Sequence, residues 1–259
     1  MKKILALITA LTMLLCFAGC GAQEKIIVAE AESAGEGVAQ DLEGYEYTAV
    51  KSQQKAIMEV AAGTADAAII DYVMSIGSIG EGTDYENLVV SGDGYSPENY
   101  GIAFRKGSDV TAKVNEAIAQ LKENGKLMEI AGKYKLGDLI SADETFDEFK
   151  QSETDSDWEY IKNKGELVIG ITYFAPMNYE DENGELVGFE TEFAKAVCEI
   201  LGVKATFQEI SWDAKETELA SKNIDCIWNG LTITDERAEA MSITIPYMAN
   251  KQVMIVKEK

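Results

Sequence analysis

The sequence predicts an α/β protein with a largely parallel sheet, built as one large domain or as two lobes. Short β-rich runs alternate with helical patterns from Glu24 onward, the order expected of parallel strands joined by crossover helices. That rhythm breaks at Gly92-Asp93-Gly94-Tyr95-Ser96-Pro97, a cluster of turn formers that reads as a crossing between lobes. Residues 143–158 then hold seven acids against one Lys and read as a solvated linker between two α/β blocks. At 259 residues the chain is long enough for two such units.

Taken in order, Lys25–Glu30 reads as a strand, followed by a Ser33-Ala34-Gly35 turn and a helix to about Leu42. Glu46–Lys51 is the next strand, and Gln53–Ala62 a helix stopped by Gly63. Asp66–Asp71 is a continuous apolar run closed by acids, as a strand buried on both faces would be. A helix and a strand around Leu88-Val89-Val90 precede the turn cluster. Tyr100–Lys106 is again a strand, and Val110, Val114, Ala117 and Leu121 recur at helical spacing until Asn124-Gly125. A short helix over 126–134 closes this block. After the acidic stretch come strand Glu166–Thr172, a hairpin turning at Asp181-Glu182-Asn183-Gly184, and a helix over 190–201. Strand Val203–Ile210, helix Ala214–Lys222, strand Ile224–Trp228 and a last strand Gln252–Lys257 follow. Phe146, Phe149 and Trp158 are too apolar for a pure spacer, so part of the acidic stretch is expected to dock.

Composition excludes several functions. The net charge of −22 argues against general nucleic-acid binding, which needs clustered Lys and Arg. There is no His, which removes Ser-His-Asp and Cys-His hydrolysis and HExxH zinc chemistry. No phosphate loop is present; Gly35-Glu36-Gly37 and Gly80-Glu81-Gly82 lack the third glycine of a dinucleotide fingerprint. Paired carboxylates are abundant, but at this composition they read as solvated faces. No metal site, cofactor or catalytic group is expected.

The first residues read as an address. Lys2 and Lys3 precede an apolar run, Ile4 to Ala18, interrupted only by Thr9 and Thr12, and then Phe17-Ala18-Gly19-Cys20. The tetrapeptide resembles a bacterial lipobox, with Cys20 as the lipid anchor and Phe17 where Leu is usual; the other reading is an ordinary signal peptide with an incidental Cys. Cys198 and Cys226 are then either free thiols or one disulfide.

Three segments look suited to clamping a ligand. Thr172-Tyr173-Phe174-Ala175-Pro176-Met177 places aromatics just past a strand's carboxyl end, where α/β folds bind ligands. Glu209-Ile210-Ser211-Trp212-Asp213 does the same one strand later. In Trp228-Asn229-Gly230-Leu231-Thr232-Ile233-Thr234-Asp235-Glu236-Arg237, a glycine, hydroxyls at a helix start and an Arg one turn inside suit a carboxylate. The same segment also reads as an N-capped helix with a surface Arg.

GELVIGITYFAPMNYEDENGELVGFETEFAKAVCEILGV, followed by NIDCIWNGLTITDERAEAMSITIPYMANKQVMIV, closely resembles the first lobe of amino-acid solute-binding proteins. These are receptors of bacterial ABC importers with the type II periplasmic-binding-protein fold. IIVAEAESAGEGVAQ, GTADAAIIDY, ENYGIAFRKGS and LKENGKLMEIAGKY resemble the same family, but the portion that comes first there comes last here. The resemblance therefore implies a circularly permuted two-lobed fold; a fragment spanning two tandem receptors is the other reading. The implied organisation is a lipoprotein signal peptide over 1–19, lobe 2, the ligand-closing lobe, over 20–96, and the first part of lobe 1 over 97–140. The acidic linker takes 141–160 and the remainder of lobe 1 takes 161–259. One crossing between lobes would stay covalent near Gly92–Tyr100, and the cut between Lys259 and Glu24 would lie at the hinge.

The resemblance also assigns roles. Phe174 and Trp212 would sandwich the ligand's side chain. Gly230 through its backbone, Thr232 and Arg237 would hold the α-carboxylate, helped by Ser33 and Ala34 from the other lobe. Asp71 would pair with the α-ammonium; its other reading is a strand-end acid capping the helix of Tyr72. Family members that prefer basic ligands often carry an acid before the aromatic, and Gly170-Ile171-Thr172 has none, which leans toward a neutral or polar amino acid; Glu30 and Asp213 remain within reach of the pocket. ABC permease and ATPase subunits are the implied partners, with the membrane reached through the lipid anchor and no nucleic acid involved. The implied location is extracytoplasmic. An amino-acid dehydratase-like enzyme on the same fold and a ligand-sensing lipoprotein are the alternatives.

Overall fold

The computed structural model describes residues 24–95, 97–141 and 157–258. The lipobox with Cys20 and most of the acidic linker lie outside the described residues. The chain opens with β1 (Lys25–Glu30), α1 (Ala34–Gln40), β2 (Tyr45–Val50), α2 (Gln53–Ala62), β3 (Ala67–Asp71), α3 (Tyr72–Ser78) and β4 (Leu88–Ser91). It continues with β5 (Pro97–Arg105), α4 (Val110–Glu123), α5 (Lys126–Lys133) and α6 (Asp157–Lys164). Then come β6 (Glu166–Ile171), the small hairpin β7 (Tyr179–Glu180) and β8 (Leu186–Val187), α7 (Phe189–Leu201), β9 (Lys204–Glu209) and α8 (Lys215–Ala220). The chain closes with β10 (Cys226–Thr232), α9 (Asp235–Ala240), β11 (Met241–Ile243) and β12 (Met248–Lys257).

Local chemistry accounts for the boundaries. Ser52 caps α2 by accepting from Lys55 N–H at 3.1 Å, and Gly63 ends that helix at φ 79, a conformation that costs glycine little. The buried face of α4 carries Val110, Val114, Ala117, Ile118 and Leu121 at the spacing read from the sequence. All five residues of β3 are buried, because the sheet is covered on both faces. Ile27 and Ala29 pack with Ala39 of α1, whereas Val28 faces Ala56, Ile57 and Val60 of α2 in the larger core. In the other lobe, Phe193 meets Trp228 edge to face with ring centroids 5.0 Å apart.

Ten strands form one continuous network in the order β2-β1-β3-β12-β5-β10-β6-β9, with β4 alongside β12 and β11 alongside β5. The outer pairs β1–β2, β1–β3, β6–β9 and β6–β10 are parallel, and every pair made by β12 is antiparallel. Strand β12 divides the molecule. Met248–Lys251 pair with β5, while Gln252–Ile255 pair with β3 and Met254–Lys257 with β4. Lobe 2 is thus β1–β4 with the second half of β12, and lobe 1 holds the remaining strands.

Three sequence expectations are corrected here. Residues 252–257 belong by pairing to lobe 2, not to the 161–259 portion of lobe 1. Both crossings are unbroken chain: one follows Ser91 and the other is β12 itself, and they lie side by side, with Tyr95 N–H bonded to the Gln252 carbonyl at 2.8 Å. The ends do not meet at the hinge. Lys257 and Lys25 lie at the opposite end of the lobe 2 sheet, flanking β3, because β12 runs antiparallel to β3 and β1 parallel to it. From Gln252 to Lys257, five residues at about 3.3 Å each, the strand runs roughly 17 Å away from the crossings.

The acidic stretch ends earlier than expected, since α6 begins at Asp157. Trp158 does dock: its N–H bonds Asp109 at 2.9 Å and Lys113 stands over its ring. Asp157 and Asp225 together hold Arg105, Lys164 and Lys222, which ties α6 to β5 and β10. Cys198 and Cys226 are buried free thiols.

Candidate functional site

A narrow cleft opens between the lobes at the carboxyl ends of β1, β3, β6 and β10. It is lined by all eight residues singled out from the sequence: Ser33, Ala34, Asp71, Phe174, Trp212, Gly230, Thr232 and Arg237. Glu30, Gln53, Thr172, Tyr173 and Asn229 complete the wall. Lobe 2 supplies Ser33 and Ala34 from the start of α1 and Asp71 from the end of β3. Lobe 1 supplies the aromatics, Thr232 and Arg237.

Arg237 is the cationic feature. Its guanidinium donates to the Thr232 carbonyl at 2.9 Å and to the Glu32 carbonyl, across the cleft, at 3.0 Å. Among the described residues it forms no ion pair, and burial lowers its pKa from the ordinary value. Two carbonyls leave donors of the fork unused, the arrangement a carboxylate would complete. Thr234 caps the same helix, accepting from Arg237 N–H at 3.2 Å, so the backbone of α9 is secured while the side chain reaches inward.

Asp71 is the anionic feature. Although it stands at the N-cap of α3, its carboxylate makes no capping bond. Instead Oδ1 accepts from Asn250 at 2.5 Å and Gln252 at 2.7 Å, and Oδ2 accepts from Gln53. The capping alternative is therefore not what the fold uses. Glu98 takes further donors from Asn250, Gln252 and the Thr232 hydroxyl, each at 3.0 Å. Burial pushes both carboxyls above their usual range, Asp71 also being held down by its amide donors and Glu98 also raised by Asp71. Asn250 and Gln252 are alternate residues of β12 and point to one face of it, so the strand that joins the lobes also seats the acid.

Gly230 is in the cleft for a different reason than expected. Its N–H donates to Glu190 Oε1 at 2.8 Å and is not available to a ligand. Its value is steric. It adopts φ 58, and a Cβ there would stand 2.6 Å from the Phe174 ring. The pairing of β10 with β5 shifts register between Ile227 and Leu231, a bulge that bends the strand at Asn229 and Gly230. Asn229 is locked by Thr172, giving to its carbonyl at 2.9 Å and accepting from its hydroxyl at 2.6 Å. Strand β10 runs on to Thr232, four residues past the expected end. Thr232 and Gly230 are strand residues, not loop residues.

Trp212 and Phe174 are both nearly buried, at 5 % and 4 % exposure. The Lys215 ammonium sits 4.9 Å from the Trp212 ring centroid and donates to the carbonyls of Glu32 and Trp212. Glu32, at φ 59, therefore accepts across the cleft from both Lys215 and Arg237. Sequence reading missed Lys215, Gln53, Asn250, Gln252 and Glu98. Amides and a Lys carry no motif of their own, and only pairing of β12 with β3 and β5 brings Asn250, Gln252 and Glu98 together beside Asp71. For Asn250 and Gln252 the alternation along β12 was the available signal.

The sequence profile of the bacterial extracellular solute-binding proteins, family 3, matches residues 167–259. The L-cystine-binding protein TcyJ of Escherichia coli K12 is 34% identical over 99 residues, 38% of this chain and 37% of that protein. A probable amino-acid ABC transporter-binding protein of Haemophilus influenzae is 37% identical over 96 residues, 37% of each chain. The ABC transporter arginine-binding protein 1 of Escherichia coli K12 is 33% identical over 90 residues, 35% of this chain and 37% of that protein. The chain thus spans little more than a third of the length of the curated relatives it matches. The matched stretch contains the aromatic loop, the bulged strand and Arg237, and over residues 167–259 the chain is similar to the bacterial extracellular solute-binding proteins, family 3.

Proposed function

We propose that the chain is an extracytoplasmic receptor that closes two lobes around an amino acid and delivers it to an ABC importer. The observation that carries this reading is a half-buried guanidinium without an ion pair and a buried carboxylate without a cation, among the described residues, contributed by opposite lobes to one cleft. A zwitterion supplies both missing charges, and neither side chain is compensated as well without it. Arg237 holds the α-carboxylate, with the Ser33 hydroxyl and the Ala34 backbone on the facing wall. Thr232 already donates to Glu98, so it serves by position. Asp71 takes the α-ammonium on Oδ2, and Phe174 and Trp212 cover the side chain.

The family model and the amino-acid-binding relatives support this reading over the matched third of the chain. Permease and ATPase subunits are the partners that follow from it, and lipidation of Cys20 would hold the receptor at the membrane. The chain order is that of a permutant: Lys257 and Lys25 are separated by one strand, about 10 Å at ordinary strand spacing, which a few residues would bridge. An enzyme on the same fold is favoured by one observation, a carboxyl in the cleft, Glu30, whose pKa is pushed up to about 8 by burial and by Asp71.

The test is a thermal-shift screen of the twenty amino acids, with mass spectrometry of the incubated ligand. A ligand at 100 times Kd adds about 2.7 kcal/mol, a shift of several degrees. Recovery of an unchanged amino acid supports the receptor; appearance of a product supports the enzyme.

A further inference from the structure

The cleft contains one more acid than a simple zwitterion needs. Asp71 and Arg237 account for the two α-groups. Glu30, the last residue of β1, lines the same cleft at 4 % exposure, and its Oε1 has no hydrogen-bond partner among the described residues. Buried carboxylate oxygens are almost always satisfied, so a bare one on a residue that lines a cleft marks a place where a donor is due.

The charged groups facing Glu30 come from three elements. Asp71 approaches from the end of β3 and Asp213 from the turn at 212–214, and both are acids. Lys215 of α8 is the one nearby cation among them, but its ammonium is committed to the carbonyls of Glu32 and Trp212 and forms no ion pair with Glu30 among the described residues. Two acids and a diverted Lys leave Glu30 in negative surroundings. A second positive group on the ligand would complete it.

We infer that Glu30 reads the ligand's side chain, and that the ligand is an amino acid whose side chain carries a cation. This rests on the receptor reading and replaces the lean toward a neutral or polar ligand, which considered only the strand before Phe174. Without a cation beside it, Glu30 holds a proton at neutral pH, since burial and Asp71 raise its pKa to about 8. An arriving ammonium or guanidinium favours the carboxylate, so binding releases that proton.

The experiment is titration calorimetry on the full chain at pH 7 with L-lysine, L-ornithine, L-arginine, L-glutamine and L-norleucine. Norleucine has the four-carbon chain of lysine without its ammonium. Each titration is run in two buffers of different ionisation enthalpy. At least one basic amino acid is expected to bind about thirtyfold or more tightly than norleucine, the effect of completing a buried charge pair, with release of up to about one proton. Glu30→Gln should lower that ratio about thirtyfold and abolish the release. If Glu30→Gln fails to fold, the ratio and the proton release of the unmodified chain decide. Binding of neutral amino acids as tightly as basic ones, or an unchanged ratio in folded Glu30→Gln, overturns the inference and leaves the receptor reading standing. Binding of none of the five, with no response in the wider screen, overturns both.

Discussion

Arg237 and Asp71 divide the labour of the cleft, and their surroundings set what each substitution should do. Arg237→Ala removes a cation that among the described residues bonds only carbonyls, so it should weaken amino-acid binding by about thirtyfold or more while circular dichroism stays native. Asp71→Asn should weaken binding comparably. It also leaves Gln53, Asn250 and Gln252 competing for a single acceptor, so its unfolding midpoint should fall too. Calorimetry showing unchanged affinity in either variant would remove that residue from the site. Glu190 makes a separate prediction. It is fully buried, accepts from Tyr247, Gly230 N–H and Asn178, and burial raises its pKa from 4.5 to about 7. A carboxyl whose folded pKa is raised contributes stability that is complete below the unfolded value and is lost as pH rises through the folded one. Urea midpoints should therefore decline between about pH 4.5 and 7, at up to about 1.4 kcal/mol per pH unit from this group. Glu190→Gln should flatten that decline, and an equal decline in the variant would assign it elsewhere.

At the scale of elements, β12 and α3 matter most. Strand β12 belongs to both sheets, and Asn250 and Gln252 on it bond Asp71 of lobe 2 and Glu98 at the start of β5. Rotation of one lobe against the other must therefore be absorbed near Lys251 and in the segment after Ser91, where the two crossings are adjacent. Helix α3 touches the opposite lobe directly: a Cβ on Gly77 would stand 2.9 Å from the Pro176 ring. Gly77→Val should hold the lobes apart. Overpacking typically costs about 1–3 kcal/mol, so ligand affinity should fall between fivefold and a hundredfold. Small-angle scattering of the ligand-free and ligand-saturated variant should show less compaction than the unmodified protein. A drop in unfolding midpoint with unchanged affinity would instead mean that this contact persists in every lobe arrangement.

For the whole molecule, the decisive feature is where the two lobe crossings and the outer ends of β1 and β12 lie. Both lobe crossings are continuous chain, and Lys257 and Lys25 sit at the far end of the lobe 2 sheet. Opening is therefore restrained by both crossings, and no added looseness at the hinge is expected. A chain rebuilt to start at Asp157, to join Lys257 to Lys25 through about four residues, and to end at Ile140 should fold and bind the same ligand with affinity within about threefold, since neither the cleft nor the hinge changes. Insolubility of that chain, or loss of its ligand while the natural order binds as a monomer, would reject the permuted arrangement.

The sequence by itself determined the alternation of strands and helices, the break after Ser91, and most of the residues that line the cleft. Each depends on local signals: apolar runs, turn formers, aromatics past a strand end, hydroxyls before a helix. Lys25–Glu30, Gln53–Ala62 and the stripe on α4 were legible for that reason. What only the tertiary structure decided was long-range. That β12 begins at Met248 and serves two sheets depends on its pairing with β3, β4 and β5, strands more than 140 residues earlier in the chain. That Gly230 gives its amide to Glu190, that Asp71 is seated by amides instead of capping α3, and that Glu30 is left with a bare oxygen all follow from strand pairing and the approach of the lobes. A sequence lists donors and acceptors, but which of them are already satisfied is settled only when the chain has closed on itself.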